Sequence, residues 1–239
     1  MGLVKALLLL ALVGCGRADF APLADAADAT EQPIDAVETR PVMTTITVDN
    51  AYSFAWRAGN VRGYQFGANS PTTESIFDCP IGVGPEQLTL DIPVGAQVYL
   101  VVWANLDSIS GALGVFEGPA GHNLTGADWQ VCATGQMKVE TGPGPSSEEI
   151  QKAIDDCDAG GTVTSAGWVD VNGAVTPGAI GTLLVGEQND SDSGVWPVVC
   201  PGAMPVDPRW MTYDPDGSAN FDNTGNRLAT YQLFRAPPL

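Results

Sequence analysis

Residues 96–106, AQVYLVVWANL, are almost continuously apolar and rich in valine. The run is too short to span a bilayer, and β-branched and aromatic residues favour extended backbone. It reads as a central strand buried on both faces, which commits the chain to a sheet-based fold. Its neighbours alternate instead: TTITVDNAYSFAW sets Ile46 and Val48, then Tyr52, Phe54 and Trp56, on one face, and QLTLDI does the same. GTLLVG and TYQLFR supply late strands, and Pro237-Pro238 stops the last one. Twenty-eight glycines and eighteen prolines punctuate these runs at short intervals. That rhythm belongs to sandwiches and barrels, and the expected class is all-β, an antiparallel β-sandwich.

One segment departs from it. In GPSSEEIQKAIDDCDAGG, Ser146 is followed three residues later by Glu149, the pattern of a capping box. Ile150, Ala153, Ile154 and Cys157 then fall on one helical face, and Gly160-Gly161 ends the run. A short helical insertion is expected near 146–158. Asp155, Asp156 and Asp158 crowd its C-terminal end, where the helix dipole disfavours negative charge. They read as a solvated helix end, with a cation site as the competing reading.

The N-terminus sets the compartment. MGLVKALLLLALVGCG carries Lys5 and an apolar run from Ala6 to Val13, the length of a secretory h-region. Leu12-Val13-Gly14-Cys15 resembles the lipobox of bacterial lipoproteins. The resemblance implies cleavage before Cys15, acyl chains on that cysteine, and a protein anchored to a membrane without spanning it. Gly16, in the position where aspartate signals inner-membrane retention, points to the outer membrane. Residues 1–14 are then a signal peptide. Residues 15–43, acidic, alanine-rich and low in hydrophobicity, are expected to be a disordered tether, with one sandwich domain over 44–239.

The formal net charge is −18 at pH 7, and loss of Lys5 with the signal makes it more negative. Such a chain is a poor partner for nucleic acid, whose binding rests on basic patches. Cys79, Cys132, Cys157 and Cys200 remain, an even number in an exported chain, and read as two disulfides with three possible connectivities. Cys157 lies on the buried stripe of the helix and Cys132 is its nearest partner in sequence, so 132–157 and 79–200 are the expected bridges.

DNAYSFAWRAGN, followed by LTLDIPVGAQVYLVVWANLDSISGALGVFEG, resembles the galactose-binding-like jelly rolls. RWMTYD and YQLFR are similar to strands of accessory sandwiches in rhamnosidase-type glycosidases, although there the Phe-Arg strand precedes the Asp-Asn strand. The resemblance implies a jelly-roll-like sandwich and leaves the ligand open, since function does not follow from fold.

Catalytic motifs are scarce. His122, the single histidine, sits in a glycine-rich turn, and no G-x-S-x-G elbow, P-loop or dinucleotide fingerprint occurs. The cysteines lack zinc spacing. YDPDGSANFDN places Asp214, Asp216, Asn220 and Asp222 at alternating positions, as calcium loops do. The glycine comes too early and no glutamate closes the loop, so an acidic turn is the favoured reading and calcium the alternative cofactor. Trp129 and Trp196 lie beside turns and are the candidate ligand-stacking residues. The expectation is a non-catalytic, lipid-anchored binding or surface module with glycan as first ligand. The alternatives are an envelope assembly protein that contacts another protein, and a glycoside hydrolase with an acidic pair.

Overall fold

The structure, a computed structural model, describes residues 37–59, 61–69, 76–77, 79, 81–82, 85–103, 110–119, 121–137, 144–190, 196–219 and 230–238. Among them are strands β1 (Thr39–Asp49), β2 (Ala51–Ala58), β3 (Val61–Asn69), β4 (Glu86–Pro93), β5 (Gln97–Trp103), β6 (Gly111–Gly118) and β7 (Gly121–Leu124). There follow β8 (Gln130–Met137), helix α1 (Ser147–Asp158), β9 (Val169–Asp170), β10 (Gly173–Ala174), β11 (Thr182–Gln188), β12 (Arg209–Asp214) and β13 (Thr230–Arg235). One sheet has the order β11-β12-β6-β1-β4, with β7 also paired to β6; the other runs β10-β9-β8-β13-β5-β2-β3. The named strand pairs are antiparallel, and the two sheets form a sandwich.

Strand alternation divides the side chains between layers. β5 sends Val98, Leu100 and Val102 between the sheets and Tyr99, Val101 and Trp103 to the opposite face, so its continuous hydrophobicity has two destinations. β2 contributes Tyr52 and Phe54 to the inner core, and β12 contributes Met211 and Tyr213. α1 closes the outer face of the second sheet. Its Ile150, Ala153, Ile154 and Cys157 pack with Tyr99, Trp103, Trp168 and Leu233, each buried isoleucine contributing about 1.5–3 kcal/mol. The helix begins with the expected capping box between Ser146 and Glu149. On the outer face of the first sheet, Ile76, Trp196, Val199 and Met204 cover Leu113 and Trp210. Gly111 permits this: a Cβ there would stand 2.5 Å from the Trp196 ring.

A buried polar group mends a gap in the ladder. β12 meets β6 at a single pair, Met211 with Ala112: β7 takes β6 from Val115 onward, and the register sets Tyr213 beyond the start of β6 at Gly111. The Tyr213 N–H therefore donates to the side-chain oxygen of Gln232, reaching across from β13, at 3.0 Å. The Thr212 hydroxyl donates to the Ser110 carbonyl at 2.6 Å.

The sheet begins earlier than the expected boundary at Thr44. β1 starts at Thr39, which pairs with Pro93, and the compact unit runs from Val37. Val42, inside the stretch read as tether, is fully buried and draws the preceding backbone into the ladder with β4. Low average hydrophobicity concealed one inward side chain.

Candidate functional site

Both expected disulfides are present, Cys132–Cys157 with Cα atoms 6.2 Å apart and Cys79–Cys200 at 5.3 Å. The first ties α1 to β8, and the second ties the covering layer of the opposite sheet together. Cys15 lies outside the described residues.

Trp129 and Trp196 are not stacking platforms. Trp129 is 0 % exposed, packs against Phe116 at 5.1 Å between ring centroids, and donates its indole N–H to the Leu124 carbonyl at 2.8 Å. Trp196 is 2 % exposed and stacks on Trp210 at 4.8 Å, with its N–H on an Asp49 oxygen. Position beside a turn does not expose a side chain when the turn folds back onto the sheet.

The acidic stretch is described through Ala219; Asn220 and Asp222 lie outside the described residues. Asp214 is fully buried, and its carboxylate accepts the backbone N–H groups of Asp216, Gly217 and Ala219 at 3.3, 3.1 and 2.9 Å. Asp216 accepts in turn from Ser218 N–H. These are turn-forming bonds within the loop. Among the described residues no group of three or more His, Cys, Asp or Glu is placed to hold a metal ion.

The aspartates at the end of α1 meet the protein's own cations. Asp158 binds Arg57 at 2.9 Å and Arg235 at 3.1 Å, and accepts the Trp168 indole N–H at 2.7 Å. Asp155 takes the other Arg57 nitrogen at 3.3 Å, and Lys152 pairs with Asp156. Arg235 also lies over the Trp168 ring, 4.2 Å from its centroid, and donates to Gln130. Burial pushes the Tyr99 phenol beneath this cluster up, with the Arg57 charge opposing. The crowding of charge at the helix end is thus a clamp, holding α1 to β2 and β13 on the side of the Cys132–Cys157 bridge.

The clamp and the disulfide fix one wall of a groove of about 380 Å³ between α1 and the β2–β3 hairpin. Ala55, Trp56, Arg62, Gly63 and Tyr64 line one side, and Ser147, Glu148, Ile150, Gln151 and Ile154 the other. Trp56 lies opposite Gly63 in the ladder, and a Cβ on that glycine would stand 1.9 Å from the indole. The missing side chain lets the ring lie against β3 on the inner face of the sheet, packed on the core, so that β2 and β3 turn Ala55, Arg62 and Tyr64 toward α1. Tyr64 donates to the Pro145 carbonyl at 3.0 Å and lies 3.1 Å from the Ser53 hydroxyl, joining the hairpin to the entry of the helix. Glu148, in the first turn of α1, accepts from the Ser147 hydroxyl. Its own backbone N–H, then that hydroxyl, hold its carboxyl below the usual range. The arrangement joins aromatic surface to an amide, a carboxylate and a guanidinium. Trp56 packs against the inner core, as its strand position predicts. Sequence reasoning missed the groove because its walls lie some eighty positions apart in the chain.

The chain matches no protein-family model, and no curated protein and no solved structure matches it significantly.

Proposed function

We propose that the chain is a lipid-anchored, extracytoplasmic binding module that takes a glycan in the groove between α1 and β3 without reacting with it. The observation that carries this reading is the groove itself, where Tyr64 stands beside Arg62, Glu148 and Gln151. Sugar sites combine an apolar ring face with a few placed polar groups in this way. A hydrolytic site would require two carboxylates facing each other, and Glu148 is the carboxylate on these walls among the described residues. The lipobox at Cys15 supplies the anchor, with the outer membrane as the expected location.

Glycan-array binding by the purified full chain in detergent tests the ligand class, with Gln151→Ala and Glu148→Gln as groove variants. Binding lost in both variants, with melting temperature unchanged, supports the reading; equal binding by both variants sinks it. Partition of Cys15→Ser with carbonate-washed membranes, as complete as that of the native chain, would refute the anchor.

A second reading, docking on another envelope protein, draws on Val163, Val171, Val175 and Ile180. These aliphatic side chains stand exposed on the segment that carries the short β9–β10 hairpin. Cross-linking in intact envelopes that is lost on Ile180→Asp, with the groove variants unaffected, would favour it.

A further inference from the structure

Resting on that reading of the groove, we infer that its ligand carries a carboxylate, and that the groove selects acidic glycans of the uronic acid class through Arg62. The cations of this molecule are few, and the described ones are almost all committed. Arg57, Lys152 and Arg235 are ion-paired, Arg209 donates to the Gly186 carbonyl, and Arg40 has partners of its own. Arg62 is the exception: among the described residues it has no hydrogen-bond or ion-pair partner, and it stands on the wall of the groove. In a chain with a formal net charge of −18, acidic groups are abundant, yet among the described residues none pairs with Arg62.

The opposite wall fixes the direction of the ligand. Glu148 is held ionised at the start of α1 and repels a carboxylate, while it and Gln151 can accept hydroxyl protons. A sugar with its carboxylate toward β3 and its hydroxyls toward α1 satisfies both walls, with its ring face beside Tyr64. A guanidinium binds a carboxylate through a two-pronged contact that a hydroxyl does not reproduce. At physiological salt, charges more than about 8 Å away are largely screened, so the contact with Arg62 outweighs the distant acidic surface.

The test compares oligogalacturonates with their methyl esters, which keep the sugar and remove the charge, by calorimetric titration of the full chain. A glycan array holding uronate, sialate and neutral members accompanies it. The expected result is about tenfold tighter binding of the free acid. Arg62→Ala should bring acid and ester to the same affinity, and Arg62→Lys should restore part of the preference for the acid. Arg62 is exposed and unbonded, so these variants should melt with the native chain. Equal affinity for acid and ester, or array hits confined to neutral glycans, overturns the selection by Arg62 and leaves the groove a glycan site. No binding to any member overturns both.

Discussion

Replacing Asp158 removes one side chain that three others depend on. In Asp158→Ala, Arg57 keeps Asp155, and Arg235 keeps Gln130 and the face of Trp168. The Trp168 indole, on a side chain that is 0 % exposed, loses the acceptor at 2.7 Å. An unsatisfied buried donor costs about 1–3 kcal/mol. The two ion pairs join side chains that are 20–33 % exposed, so solvent screening reduces each to about 0.5 kcal/mol. The expected loss is about 2–4 kcal/mol, read as a lower urea midpoint with unchanged slope. Asp158→Asn keeps an oxygen for the indole and drops only the charge, so it should lose about 1 kcal/mol. If the alanine variant unfolds with the native chain, or the asparagine variant falls as far as alanine, the clamp is not organised around the indole hydrogen bond.

Cys132→Ala/Cys157→Ala opens a loop with a sequence separation of 25 and should cost about 3–4 kcal/mol; opening Cys79–Cys200, separation 121, should cost about 5 kcal/mol by the same chain-entropy relation. Chemical denaturation of the two double variants checks the order, and a larger loss from the shorter loop would contradict it. Asp214→Ala strips three backbone N–H groups of their acceptor and should destabilise by about 2 kcal/mol, whereas calcium should raise the melting temperature of the native chain no more than magnesium at equal ionic strength. A calcium-specific rise in melts run with EDTA, calcium and magnesium would reverse that reading. Tyr213, buried with its hydroxyl on the Ile180 carbonyl, has its pKa pushed up to about 12 by burial and by Asp214. Its folded pKa lies above the unfolded one, so its contribution is complete below about pH 10 and is lost toward pH 12, up to about 2–3 kcal/mol. Denaturant midpoints followed with tyrosinate absorbance should fall through that window, and Tyr213→Phe should flatten the fall.

What this chain's residues determined locally was its elements. Period-two alternation in β2 and β4, unbroken apolarity in β5, and the reciprocal bonds of Ser146 and Glu149 each involve neighbours within a few positions, so the strands and the helix were legible. The bridge from Cys157 could be read because the helical stripe already faced it inward. The fate of the tryptophans could not be read that way. Trp196 is buried by Trp210 and bonded to Asp49, 147 positions away, and no local pattern encodes which surface a returning loop will cover. Asp155 and Asp158 of α1 find their arginines 77 to 101 residues distant, and the groove pairs Arg62 and Tyr64 with Glu148 and Gln151. Charge and aromatic surface act through space, while the sequence orders residues along a line. The elements therefore followed from local periodicity, and the clamp and the groove exist only once two sheets and a pinned helix bring those residues together.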